Sequence, residues 1–174
     1  MAVKNPSQRL HENRNMPRIE ILDDPKTLAK WGEPKKMLLA PPIEYDELMK
    51  KIPHGKVITA DLLRDHLAEK HGADFACQLT GGMFINIAAH ANEERAALDE
   101  TPNGDETPCG DNTHCVAETP WWRTLKKDGE LNEKFPGGID NHKFKLEIEG
   151  HEVIQKGKRY FVKNFDQKLF DLSE

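Results

Sequence analysis

The stretch 119–150 contains an unusual density of side chains that can bind or react. Pro120, Trp121, Trp122 and Arg123 follow one another, and a helical pattern later ends on Glu149. Neither tryptophan offers a nucleophilic or basic atom, so both can only stack, donate an indole N–H or fill space. We therefore keep two interpretations of the pair, core aromatics and residues that line a ligand pocket. Arg123 can pair with a phosphate or with a carboxylate.

A second group of reactive residues lies upstream. Cys109, His114 and Cys115 are zinc-ligand types, with Cys77 and His90 elsewhere in the chain. A structural zinc site needs four ligands, and this spacing has no strong precedent. A surface thiol pair, or a small disulfide after oxidation, explains the same residues. We expect no bound metal and no cofactor.

The 119–150 stretch resembles the active-site segment of the methylguanine-DNA alkyltransferases. The pattern of that family is Pro-Cys-His-Arg, a Gly-Gly turn and a final Leu-x-x-Glu-Gly. The positions that match are Pro120, Arg123, Gly137, Gly138, Leu146, Glu149 and Gly150. Trp121 falls on the nucleophilic cysteine and Trp122 on the histidine that activates it, so the resemblance implies the fold without the alkyl-transfer reaction.

This pattern is similar to the alkyltransferase-like branch of the family, which recognises alkylated guanine without repairing it. That branch carries tryptophan in place of the cysteine but usually keeps the histidine, and here Trp122 replaces it. A buried indole N–H usually finds an acceptor. We therefore predict that Trp122 donates a hydrogen bond to Glu149, and that the more natural partner of Arg123 is a carboxylate.

The middle of the chain predicts three helices. Tyr45, Leu48, Met49 and Ile52 recur at the spacing of an amphipathic helix. Thr59 is then typical of the N-cap of a second helix that ends before Gly72. In the resembled family, Gly-x-Val-x-Thr opens the helix-turn-helix that binds DNA. Ala60 stands where that family has a tyrosine that contacts the target nucleotide's phosphate.

The next helix would be the DNA-recognition helix of the resemblance. Leu79, Met83, Ile87 and Ala91 lie four apart, and Gly81-Gly82 predicts a close backbone approach. Aligned on the glycine pair, Gln78 takes the place of the family's intercalating arginine. Asn86 and His90 share a helix face. The candidate ligand- or DNA-binding residues are therefore Thr59, Gln78, Gly81, Gly82, Asn86, Trp121, Trp122 and Arg123.

The domain limits follow from composition and turn signals. Residues 1–40 predict a polar arm with one short ordered piece at 19–22, and its arginines either contact phosphates or are solvated. Residues 41–164 predict a mainly helical α+β domain, a winged helix-turn-helix of the alkyltransferase C-terminal type. Residues 92–118 are an acidic loop insertion in it.

Two β-prone runs around Lys156-Gly157-Lys158 predict a C-terminal β-hairpin, and residues 165–174 are a short tail with a helical piece.

Composition narrows the function classes. The 174 residues carry a formal net charge of −5 and suit one soluble domain, although DNA-binding proteins usually show a basic surface. No apolar run is long enough for a membrane span or a signal peptide. The absence of such runs and the odd number of cysteines, three, favour a cytoplasmic protein. We expect it to be a monomer.

Three hypotheses for the function remain. The first is a non-catalytic alkyltransferase-like protein that binds duplex DNA with a modified base, in a DNA-repair context. The second is a repurposed domain that binds a protein or small molecule in the tryptophan-lined groove, and the third is an enzyme of unrelated chemistry. We favour the first because the scaffold pattern is retained.

Overall fold

The computed structural model describes residues 4–12, 14–99 and 118–172, which fold into a mixed α+β structure. The helices are α1 (Pro6–Leu10), α2 (Pro25–Trp31), α3 (Pro42–Lys50), α4 (Ala60–Lys70), α5 (Gln78–Asp99) and α6 (Gly138–Ile148). The strands are β1 (Arg18–Leu22), β2 (Lys35–Leu39), β3 (Ile58–Thr59), β4 (Phe75–Ala76), β5 (Thr124–Leu125), β6 (Val153–Lys156) and β7 (Arg159–Val162). Single 3₁₀ turns cover Trp121–Arg123, Lys127–Gly129 and Phe165–Lys168.

The strands form three small sheets. β2 pairs antiparallel with β1 and parallel with β4, while β3 pairs parallel with β5. β6 and β7 form the antiparallel hairpin that the sequence predicts, with Val153 opposite Val162. The short helix predicted in the tail is the 3₁₀ turn at Phe165–Lys168. None of the described helices is long and apolar enough to cross a bilayer.

The expectation of a solvated N-terminal arm is wrong. The ordered piece predicted at 19–22 is β1, but the order extends well beyond it: α1 packs on α5, and β2 is the middle strand of its sheet. Leu10 and Leu38 are both 1% exposed in the main core. The polar residues that suggested a tail face solvent around a few buried apolar anchors. Such isolated anchors give little periodicity in the sequence.

The helix predicted around the Tyr45 stripe is α3. Tyr45, Leu48, Met49 and Ile52 are all buried and form part of the main core. The helix ends at Lys50, shortly before the exposed Pro53. The prediction of an amphipathic helix at this position is confirmed.

The predicted start of α4 is confirmed as well. The Thr59 hydroxyl accepts a hydrogen bond from the Leu62 amide at 3.3 Å, which satisfies one free donor of the first turn. At the other end, Gly72 follows the last helical residues with a φ of +69°, a conformation that glycine adopts without strain.

Phe75 and Ala76 form β4, which pairs with β2, and helix α5 begins shortly after them at Gln78. A Cβ on Gly81 would lie 2.8 Å from Arg64 Cδ and 2.9 Å from Tyr45 Oη, which confirms the predicted close approach for this glycine. Gly82 is different, since a Cβ on this residue would meet no atom within 4 Å. Gly81 thus brings α5 against α3 and α4, and Gly82 faces open space.

Candidate functional site

The turn that carries the two tryptophans is fixed by buried polar contacts just before it. The Thr119 amide donates to Asn92 Oδ1 at 2.8 Å, and the Thr119 hydroxyl donates to Asp46 Oδ1 at 2.7 Å. Thr119 and Asp46 are 0% exposed and Asn92 4%. These contacts tie the segment to α5 and α3, and they determine where Pro120 and the residues after it lie.

Trp121 is a core residue. It is 0% exposed and packs edge-on against Phe135, with ring centroids 5.3 Å apart. Its indole N–H donates to Glu93 Oε1 at 3.0 Å. Trp121 lines none of the cavities described below, so the expectation that it lines a ligand pocket is wrong. The alternative, an aromatic that fills the core, is what the structure shows.

Trp122 and Arg123 both bind Glu149. The Trp122 N–H donates to Glu149 Oε1 at 2.7 Å, which confirms the predicted hydrogen bond. Arg123 pairs with the same carboxylate, Nη2 to Oε1 at 2.7 Å, and also donates to the Ile52 carbonyl. Burial acts to raise the pKa of Glu149, but the hydrogen bonds from Arg123 and Trp122 lower it below its usual value. Arg123 is therefore used in a structural ion pair, as predicted.

His142 is a buried residue of this site that sequence reasoning missed. Its Nδ1 accepts from the Asn132 amide at 3.1 Å, so its Nε2 carries the proton and donates to the Trp122 carbonyl at 2.8 Å. Burial lowers the pKa of His142 to about 4, which keeps the ring neutral. Its neighbour at 5.9 Å between ring centroids is Trp121, which offers no proton for a base to remove.

An open groove of about 540 Å³ runs along the first half of α5. From α5 it is lined by Gln78, Leu79, Gly82, Met83 and Asn86, and from the segment between β5 and α6 by Lys126, Lys127 and Lys134, among others. We call this surface the α5 groove. Gln78, Gly82 and Asn86 were predicted to bind, and all three line it.

Two other predicted binding residues do not reach the groove. Thr59 is 7% exposed and its hydroxyl caps α4, while Gly81 is buried between helices. Both have structural positions, and the expectation that they contact a ligand stays a prediction. Their sequence signals, an N-cap and a glycine pair, are the same for either role.

The α5 groove continues past Met83, Asn86 and Lys134, which also line an adjoining cavity of about 400 Å³. Arg9 of α1 and His90 also line that cavity. His90 Nε2 lies 3.0 Å from the Lys134 carbonyl, and Asn86 Oδ1 accepts from Asn132 Nδ2 at 3.0 Å. Asn86 and His90 thus share a face, as predicted, and contact the loop that carries Lys134.

The two joined cavities are rich in positive charge. Within the described residues, Arg9, Lys127 and Lys134 form no ion pair, whereas Lys126 pairs with Glu130 at 3.0 Å. Arg64, also in the lining, pairs with Asp61. Asp61 and Glu133 are the acidic residues of the same lining. Little in the sequence indicated this cluster, since Arg9 comes from α1 and the lysines come from the distant segment between β5 and α6.

The remaining candidates concern metal binding. Cys109, His114 and Cys115 lie outside the described residues, as does most of the predicted acidic loop. The loop was predicted to begin at residue 92, which is wrong, because α5 continues to Asp99. Among the residues that the structure describes, no group of three or more histidine, cysteine or acidic side chains is arranged to hold a metal ion.

Comparison with known proteins gives a distant structural likeness. No family model matches the sequence, and no curated protein matches it. Two similar solved structures are S. pombe Atl1 in complex with damaged DNA containing O6-carboxymethylguanine, and S. pombe ATL in complex with DNA. Each has a TM-score of 0.41 and 18% sequence identity, over 75% of this chain and 94% of that chain.

Proposed function

We propose that this protein is a non-catalytic, alkyltransferase-like protein that binds duplex DNA and accommodates a modified base in the α5 groove. The observation that carries the proposal is a concentration of cations that pair with no acidic group in the described part of the chain. These cations are Arg9, Lys127 and Lys134, in a chain whose net charge is −5. Phosphate neutralisation supplies most of the non-specific affinity of DNA-binding proteins. A local basic groove lets an acidic protein do this.

The architecture around the groove suits a helix that enters DNA. Helix α4 and helix α5 are joined by the short segment that contains β4, and they pack closely at Gly81. In this proposal they form the helix-turn-helix, with α5 as the recognition helix and the β6–β7 hairpin as the wing. The groove volume of about 540 Å³ lies within the range of sites for small ligands, so it can hold a single extruded base.

The proposed role excludes alkyl transfer. A suicide transferase needs a thiolate beside an activating base. Here the nucleophile position is Trp121, buried in the core, and the base position is Trp122, which donates to Glu149. This supports recognition without reaction as the proposed role.

The proposal is tested by fluorescence titration of the protein into labelled duplexes with and without an O6-methylguanine, over a series of salt concentrations. We expect tighter binding to the modified duplex, and an affinity for both duplexes that falls as salt rises. Negligible binding to both duplexes would instead favour a domain repurposed for a protein or small-molecule ligand.

Charge variants make this test specific to the groove. Lys127→Gln and Lys134→Gln should each weaken binding to both duplexes and reduce the slope of log K against log salt by about 1. Lys26→Gln is the matched control, because it removes one positive charge from the exposed surface of α2, outside both cavities. Equal effects of all three variants would place the DNA elsewhere.

A further inference from the structure

We propose that Leu79, supported by Met83, forms an apolar wedge that enters the base stack of the bound duplex. This inference rests on the proposed DNA-binding function and adds a residue-level role to it. It concerns the side chain that holds the duplex open, and it moves this role from Gln78 to the residue beside it.

The exposure of these two side chains is the first observation. Leu79 is 75% exposed, the highest value among the large hydrophobic residues that the structure describes, and Met83 is 44% exposed. They are four residues apart on α5, so they stand on one helix face and form a short ridge. Ile87 and Ala91 continue the same face but are buried. The predicted apolar stripe therefore runs from the core into open solvent.

The ridge stands inside the groove rather than beside it. Leu79 and Met83 both line the α5 groove, and Gly82 between them adds no side chain that would hide them. Since the Cβ position of Gly82 has no neighbour within 4 Å, a partner can approach the helix backbone there. An apolar ridge on an accessible helix surface is a feature of binding sites.

The charge around the ridge identifies the partner. Lys127 and Lys134 line the same groove without ion pairs in the described part of the chain, and Gln78 adds a polar amide at the start of α5. Cationic walls with an apolar centre match duplex DNA, in which phosphates flank stacked bases. Minor-groove proteins insert leucine or methionine between base steps, and the bend they cause brings more surface into contact. An apolar protein partner would find these cations unmatched.

Gln78 is less suited to this role. It also lines the groove and is exposed, but an amide at the centre of a base stack loses its hydrogen bonds to water. The Leu79 side chain loses none, and its burial is favourable. In our proposal Gln78 stays at the edge of the bases, where its amide can donate and accept.

The test uses duplexes with 2-aminopurine at a fixed position, whose fluorescence rises when the base unstacks. Leu79→Ala should weaken binding about tenfold and abolish most of this rise, and Met83→Ala should have a smaller effect of the same kind. Leu98→Ala is the matched control: Leu98 is 66% exposed on the same helix and lines neither cavity. Because Leu79 is largely exposed, circular dichroism melting should show a fold unchanged from wild type.

The outcomes separate this inference from the function on which it rests. If the wild type binds the duplex with a salt-dependent affinity but Leu79→Ala keeps the full 2-aminopurine signal, the wedge is overturned and the DNA-binding function stands. An equal loss in Leu98→Ala also overturns the wedge. If the wild type shows no salt-dependent binding, the proposed function itself fails.

Discussion

The indole N–H of Trp122 lies 2.7 Å from Oε1 of Glu149, and that oxygen also accepts from Arg123. The Glu149 carboxylate thus accepts from two residues of the same 3₁₀ turn, and it also accepts from the Gly55 amide, at 3.3 Å. Arg123 and Glu149, two of the motif residues, are held in a contact that ties the 3₁₀ turn to the end of α6.

This contact predicts a clear difference between two substitutions. Glu149→Gln leaves Arg123, whose side chain is 13% exposed, without its charge partner, and we expect a loss of about 3 kcal/mol in the free energy of unfolding. Trp122→Phe removes a single hydrogen bond and should cost about 1 kcal/mol. Urea denaturation at neutral pH measures both.

The control for this prediction is an ion pair at the surface. Lys163 pairs with Glu152 at 2.8 Å, with side chains 47% and 64% exposed, so Lys163→Gln should cost less than about 1 kcal/mol. If Glu149→Gln costs no more than Lys163→Gln, the cluster around Glu149 does not stabilise the fold as we describe.

Local elements were predictable from the sequence where one signal dominated. The Tyr45 stripe, the Thr59 cap and the terminal hairpin each depend on neighbouring residues, and each is confirmed. The N-terminal 40 residues show the opposite. Their order depends on Leu10 and Leu38, single side chains that meet a distant helix and a distant strand. Contacts of this kind leave no periodic pattern in the sequence.

The candidate site was predictable only in part, for the same reason. The bond between Trp122 and Glu149 followed from the chemistry of a buried indole, and it is present. The groove cations did not follow, because Lys127 and Lys134 come to line the α5 groove only in the folded chain, and Arg9 reaches the adjoining cavity only because α1 packs on α5. Trp121 was open to two interpretations because an indole suits a pocket wall and a core equally well.

His142 predicts a loss of stability in mild acid. Its folded-state pKa of about 4 lies below the value of 6.5 in an unfolded chain, so the unfolded state binds more protons between those values. Stability is therefore complete above pH 6.5 and decreases as the pH falls through this window, by up to about 3 kcal/mol. Urea denaturation at several pH values from about 7 to about 4.5 should show this slope.

The contribution of His142 can be isolated by substitution. His142→Gln should be less stable at neutral pH, because burial without a well-placed partner is unfavourable, yet it should lose much of the pH slope. Burial, aided by nearby Lys168, also lowers the pKa of His151, so a smaller slope of the same sign should remain. An unchanged slope in His142→Gln would contradict the prediction.

The two adjacent glycines of α5 predict opposite results for the same substitution. Gly81→Ala places a Cβ 2.8 Å from Arg64 Cδ and should lower the free energy of unfolding by about 1–3 kcal/mol. Gly82→Ala meets no atom within 4 Å and should raise it by up to about 1 kcal/mol through helix propensity. Thermal denaturation distinguishes them. Similar melting temperatures for the two variants would contradict the helix packing described at Gly81.

Because Trp121 is buried, we predict that a cysteine at this position does not give the protein alkyl-transfer activity. Trp121→Cys provides a thiol, but at a site that is 0% exposed and packed against Phe135, where no modified base can reach it. The removed indole leaves a cavity, so the variant should also lose about 3–5 kcal/mol of stability. The double variant Trp121→Cys, Trp122→His should likewise take up no label from a duplex with radiolabelled O6-methylguanine, although it holds thiol and imidazole. Label on either variant would show that residue 121 is accessible from the α5 groove. That result would contradict the prediction that burial of this position prevents the reaction.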